Sequence, residues 1–426
     1  MNTLFGEIDT VDDLQDQWRD PYVQWWAAGM PSYDQQANNP FKQIMVKFKT
    51  KEDREHFANL AGYNLTDRTS VVWYPNKKRD KNSTSRYVED EMKQDNFDEL
   101  DGRFLPQTLC KQQSRYPIYI ISKGRAAYGP HTAKTLYDMG VDFRIAVEPQ
   151  DYDAYLKSPY IREDQILVLP FSNHGLGSGP ARNWCWEHSK AQGHKRHWLL
   201  DDNLQYFWRL HKNRRYVVDK GSAIFRATED FVDRFENVAL AALQYKFFAI
   251  DSEDYAPYIL NTRMMSCILI ENSCPVQWRG KYNEDVDLSI RVLKEGLCTM
   301  MIYSFLCGKL RTGTVKGGNT EEIYNNYQDD ASYNKSRMLY EMHPDCVELI
   351  ERYGRAHHHV NLNKIINKFG QPARQNVPIL KKDVEIKNVV DNYGMKLYRN
   401  YGTPESHPDD EFSLNEYPKG RKSIHE

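Results

Sequence analysis

The chain has 426 residues, 57 Lys and Arg against 59 Asp and Glu for a net charge of −2, and 40% hydrophobic residues. That is enough chain for a large α/β core plus an accessory module, with the balance of an ordinary soluble protein. The odd cysteine count of 7 and the lack of any Cys-x-x-Cys argue against a disulfide framework or a zinc knuckle. No run of 18 apolar residues occurs, and the acidic residues 1–7 lack a signal-peptide core, so a cytoplasmic location is expected. Residues 1–75 read as a small α+β module. Its pieces are a strand over 44–48, a helix opened by Thr50 and carrying Phe57 and Leu60, a stop at Gly62, and a strand over 70–75. Ahead of it, Trp25 and Trp26 stand in a loop as core plugs or as a contact surface. Residues 76–114 are polar, basic and turn-prone, and read as a linker able to touch phosphates.

From Tyr116 the pattern becomes strand, loop, helix, repeated. Ile118, Tyr119, Ile120 and Ile121 form a strand, and Ser122, Lys123, Gly124 and Arg125 follow as a loop suited to a phosphate or nucleotide. A helix through Thr132, Leu136 and Met139 stops at Gly140. Strands over 143–147 and 166–169 flank a helical stretch from Tyr152 to Leu156. Such alternation predicts an α/β, Rossmann-like domain with a mostly parallel central sheet, helices on both faces, and loops converging on one edge. Three glycines before Pro180 open a helix whose first turn holds Arg182 and Asn183, a place where the helix dipole disfavours a cation unless an anion is near.

The apolar run Trp198, Leu199, Leu200 ends abruptly in Asp201, Asp202 and Asn203. A buried strand that releases acids at its carboxyl end places them where open α/β sheets bind ligands. Adjacent carboxylates repel, and a divalent cation with hard oxygen ligands is one way to hold them together. A second acidic cluster, Glu284, Asp285 and Asp287, opens a helix with Leu288, Val292 and Leu293 on its core face. Lys212, Arg214 and Arg215 follow Tyr206, Phe207 and Trp208, a mixture of cations and rings suited to a nucleic-acid acceptor. Residues 371–426 read as an extended tail.

Taken together, these stretches resemble the GT-A class of nucleotide-sugar glycosyltransferases. More narrowly, Lys123-Gly124-Arg125, Val147-Glu148-Pro149-Gln150, Pro180-Ala181-Arg182-Asn183-Trp184, Arg279 through Asp285 and Lys316-Gly317-Gly318-Asn319-Thr320 resemble the phage TET-associated glycosyltransferases, over about residues 115–362 of a domain read as 115–370. The resemblance implies transfer of a sugar from a UDP-sugar onto the hydroxyl of a 5-hydroxymethylpyrimidine, 5-hydroxymethylcytosine above all, in phage DNA within the host cytoplasm. It implies a donor site of Ser122, Lys123, Arg125, Glu148, Arg182, Asn183, Asp201, Asp202, Lys316, Gly317, Gly318 and Asn319, and an Mn²⁺ or Mg²⁺ ion on Asp202, Asn203 and His359. By the same resemblance Asp285 is the general base of an inverting transfer, with Glu284 as the runner-up, and Lys212, Arg214 and Arg215 meet the acceptor DNA. Asn203 departs from the pattern, since an amide oxygen is a weaker ligand than a carboxylate. Two other readings share these residues: the same chemistry on a protein or glycan acceptor, and a non-catalytic nucleotide-sugar or DNA-binding protein.

Overall fold

The computed structural model describes residues 30–31, 33, 42, 44–67, 69, 72, 74, 82–89, 113–128, 131–249, 255–310, 331–352, 354–366, 376–381, 392–399 and 403–404. In chain order, α1 (Lys51–Ala61) and β1 (Asn82–Glu89) precede β2 (Ile118–Ile121), α2 (His131–Met139), β3 (Arg144–Val147), α3 (Tyr152–Leu156) and β4 (Ile166–Val168). Next come α4 (Gly179–Ala191), β5 (Arg196–Asp201), β6 (Leu204–His211), β7 (Arg214–Val218), α5 (Ala223–Val232), β8 (Val238–Tyr245), β9 (Tyr258–Leu260) and β10 (Cys267–Glu271). The series closes with α6 (Glu284–Lys294), β11 (Cys298–Lys309), α7 (Ala331–Met342), β12 (Val347–Arg352), β13 (Arg355–Val360), α8 (Asn363–Ile366), β14 (Met395–Arg399) and β15 (Thr403–Pro404).

Among the described residues, 13 strands share one sheet in the order β15-β14-β1-β7-β6-β11-β8-β10-β5-β2-β3-β4, with β9 added on β11. Within its core, β4, β3, β2 and β5 are mutually parallel, β8 and β11 are parallel, and β10 alone runs against both β5 and β8. Strands buried on both faces need continuous apolar runs, and β5 has one: Trp198, Leu199 and Leu200 are all 0% exposed. Each such side chain contributes about 1.5–3 kcal/mol by leaving water. Glu229 on α5 fixes this strand to its neighbour, accepting from Trp198 Nε1 at 2.8 Å and from the Arg115 backbone at 2.7 Å, where the chain enters β2.

Helix α1 forms as the capping pattern requires. Asp53 N donates to Thr50 Oγ1 at 3.1 Å, Thr50 N donates to Asp53 Oδ2 at 3.0 Å, and Gly62 at φ 70° ends it. The strand expected over 44–48 is absent: these residues are exposed, Ile44 at 78% and Met45 at 83%, with no described strand to pair with. Of 70–75, only Val72 and Tyr74 are described, neither in a strand, and Trp25 and Trp26 lie outside the described residues.

Two expected boundaries are corrected. Part of the linker, residues 82–89, is β1, which runs parallel to β7; part of the tail, residues 395–399, is β14, which pairs antiparallel with β1. Ladder bonds come from the backbone, so polar side chains did not preclude a strand. Tyr87 and Val88 of β1 and Met395 and Leu397 of β14 are buried. The six described cysteines are buried and none of them is in a disulfide. Among the described residues, no helix is long and apolar enough to cross a membrane.

Candidate active site

The carboxyl ends of β2, β3 and β5 open into a cavity of about 240 Å³ that is roofed by the glycine-rich loop before α4 and by residues 281–284. The turn that releases the acids from β5 is held by Thr132 at the start of α2. Its Oγ1 donates to the Asp201 carbonyl at 2.6 Å and accepts from Leu204 N at 2.8 Å, while its N–H donates to the Asp202 carbonyl at 3.2 Å. Gly177 lets the loop close down: at φ 76° a Cβ there would lie 2.6 Å from the Lys281 carbonyl.

The adjacent carboxylates are separated by partner. Asp201 accepts from Arg182 Nη2 at 2.6 Å through Oδ1, and from Lys309 Nζ at 2.7 Å and Ser266 Oγ at 2.6 Å through Oδ2. Burial alone would raise its pKa, but Lys309 and Arg182 hold it well below the usual carboxylate range. Burial lowers and Asp201 raises the Lys309 pKa, with the net result upward. Asp202 pairs with Arg125 Nη1 through Oδ1 and accepts from Ser122 Oγ at 2.6 Å through Oδ2. Its pKa is nevertheless raised, because burial outweighs Arg125. Tyr155 completes this corner, its hydroxyl meeting Ser122 Oγ and accepting from Arg125 N at 3.2 Å.

At the opposite wall Glu284 accepts from Ser178 Oγ at 2.6 Å and lies 3.6 Å from Arg182. Next to it, at the N-terminus of α6, burial and then the Glu284 charge push Asp285 up to about 6, while Lys309 and Arg182 pull it back. The turn into α6 is shaped by Asn283 in the left-handed region at φ 50°, whose Nδ2 donates to the Lys335 carbonyl at 2.9 Å. Asn tolerates that conformation better than most residues. Glu148 also lines the cavity; it accepts from Asn173 N at 3.0 Å and Gln150 Nε2 at 2.6 Å, and faces Lys123 at 3.4 Å.

The cavity thus gathers Ser122, Lys123, Arg125, Glu148, Arg182, Asp201, Asp202, Asn203 and Glu284, all expected from the sequence. Six of the expected site residues, Asp285 among them, do not line this cavity. Asn183 is a brace: its Nδ2 donates to the Trp278 carbonyl at 2.9 Å and its Oδ1 accepts from Trp278 N at 3.0 Å, so both amide groups are spent on one backbone unit. His359 is exposed on β13, in register with Glu348 of β12, and does not line the cavity. Lys212 and Arg214 sit at the β6–β7 hairpin turn outside this cavity, and Arg215 lines a neighbouring one. Lys316, Gly317, Gly318 and Asn319 lie outside the described residues. Sequence reasoning missed Thr132, Tyr155, Ser266 and Lys309.

A fold of this kind carries the expectation of a divalent cation on the acids after β5. All four carboxylate oxygens of Asp201 and Asp202 already accept from charged or hydroxyl donors. The lining carries six cations (Lys123, Arg125, Arg182, Lys281, Lys309, Lys335) against four acids (Glu148, Asp201, Asp202, Glu284). Asn203 Oδ1 is buried without a hydrogen-bond partner, but one amide oxygen is a weak ligand. This donor set does not fit a divalent cation; its surplus of positive charge fits a pyrophosphate instead. His343, Asp345 and Cys346 form a metal-like cluster elsewhere, but both His343 ring nitrogens are engaged, by Asp287 at 2.8 Å and Lys294 at 3.2 Å.

A sheet whose core is mostly parallel with β10 reversed, helices on its faces and acids at the carboxyl end of β5 are the features of a GT-A-like fold. Residues 116–318 match the family described as TET-Associated Glycosyltransferase, so that segment is similar to that family of glycosyltransferases. The comparison with curated proteins gave no match.

Proposed function

We propose that the protein moves a sugar from a UDP-sugar onto the hydroxyl of a 5-hydroxymethylpyrimidine in DNA, 5-hydroxymethylcytosine foremost, with inversion at the sugar carbon. The observation that carries this reading is the excess of cations over acids in the cavity, with Asp285, of raised pKa, following the lining residue Glu284 on α6. The cations and Asp285 answer the two demands of the reaction. As the bond between the anomeric carbon and the diphosphate oxygen breaks, negative charge grows on the departing UDP, and Arg125, Arg182 and Lys309 are positioned to stabilise it. Arg182 Nη1 is buried and has no hydrogen-bond partner among the described residues, leaving a donor for a phosphate oxygen.

Asp285 takes the proton from the acceptor hydroxyl as that oxygen bonds to the sugar carbon from the face opposite the diphosphate. A base whose pKa stands near 6 is ionised at neutral pH and stronger than an ordinary carboxylate.

The test is to incubate the protein with a panel of UDP-sugars and DNA containing 5-hydroxymethylcytosine, and to analyse the nucleosides by mass spectrometry. A hexose or N-acetylhexosamine mass on the modified base is the expected result. Release of UDP with no mass added to DNA would move the acceptor to a protein or glycan.

A further inference from the structure

A second cavity, of about 450 Å³, adjoins the first and shares Lys309 with it. Its floor is Trp208, only 7% exposed, with the Lys246 ammonium 4.3 Å above the ring. Gly308 makes this possible: a Cβ there would lie 2.5 Å from the Trp208 ring and 2.3 Å from the Gln205 carbonyl. Gly308 is also where the β6–β11 register slips, between Cys307 and Lys309, and such irregularities re-aim the side chains beside them. The walls carry two aromatic rings that folding does not bury, Tyr206 and Phe247, each 56% exposed. Tyr206 sits at φ 59°, a conformation a bulky side chain adopts only where its surroundings enforce it, and such strain clusters at functional sites. Among the described residues, the charged ones that line it are Arg215, Lys246 and Lys309, with no acid.

Exposed rings beside cations, with no acid, match a single-stranded nucleotide: the rings stack on a base whatever its identity, and the cations meet its phosphates. A base must leave the helix before its substituent can enter a buried site. Continuity through Lys309 then sets the direction in which the base points. We infer that this groove holds the extrahelical acceptor pyrimidine, stacked on Tyr206 and Phe247, with Arg215 and Lys246 on the flanking phosphates. The inference rests on the DNA acceptor proposed above and deepens it.

The test uses the full chain and a single-stranded oligonucleotide carrying fluorescent pyrrolocytosine at the target position. Binding is expected to quench the probe. Tyr206→Gly removes the ring and relieves the backbone, so it should melt no lower than wild type, abolish the quench and weaken binding about tenfold or more. Tyr206→Trp should keep both, and neither variant should move the KM for the donor. Arg215→Ala should weaken binding to all sequences alike and lower the salt slope by about one. Binding without a quench, or Tyr206→Gly binding like wild type, overturns the inference. In the first case the groove meets the phosphate backbone alone. Transfer onto 5-hydroxymethylcytosine DNA is measured alongside. Transfer that does not depend on Tyr206 keeps the proposed reaction and sinks the groove; a Tyr206-dependent quench with no transfer does the reverse.

Discussion

Lys309 joins the two cavities and carries the largest share of the positive charge that Asp201 feels. Lys309→Met keeps the apolar stem and deletes the ammonium, and is expected to lower kcat by about 10²–10³, the scale seen when one preorganised donor is lost. Single-turnover kinetics with saturating donor would show it. Transfer in excess EDTA is expected to equal transfer with added Mn²⁺, because Arg125, Arg182 and Lys309 already answer the acids after β5; a loss of more than about tenfold would overturn that assignment. Asp285 makes a pair of linked predictions. Its pKa, raised to about 6, means that kcat/KM falls as pH drops through about 6 and levels off above it. A carboxyl whose folded pKa exceeds its unfolded value contributes stability at low pH and loses it as pH rises through the folded pKa. At neutral pH the charged Asp285 is therefore a cost to the fold. Asp285→Asn should cut transfer by about 10²–10⁴ while raising Tm at pH 7, and a lowered Tm in calorimetry would argue that the carboxylate braces the helix instead.

At the scale of elements, β5 was legible because a short apolar run ending in acids has few other readings, and the helices were legible from Thr50, Gly62, Gly140 and Pro180. Side chains that reach the site from elsewhere were not. Lys309 stands 108 positions from Asp201 and is brought there by strand pairing, with nothing local to mark it. Thr132 and Tyr155 likewise act through contacts that only the folded sheet creates. Asn183 misled for a related reason: its neighbour Arg182 faces the cavity, and one step along a helix turns the next side chain to another face. The irregularity at Gly308 gives an element-level prediction. Gly308→Ala places a methyl group against the Gln205 carbonyl, a backbone atom with little freedom to yield, and is expected to destabilise the fold by about 1–3 kcal/mol in urea titration. It should also weaken DNA binding more than donor binding, since it displaces Trp208.

For the whole molecule, the domain read as 115–370 holds the chemistry, but its sheet extends beyond those limits through β1 and β14. The polar run over residues 82–86 gave no period-two signal, so only the partner strand reveals it. Removing residues 391–426 should leave β1 without its antiparallel neighbour, and lower soluble yield and more aggregate by size-exclusion chromatography are the expected signs. The same pairing orders events during synthesis. β1 leaves the ribosome well before β14, with the segment that carries the candidate site made between them. A nascent chain therefore carries an open strand edge until β14 emerges, and a product terminated before β14 keeps it for good, which marks it for chaperones and proteases.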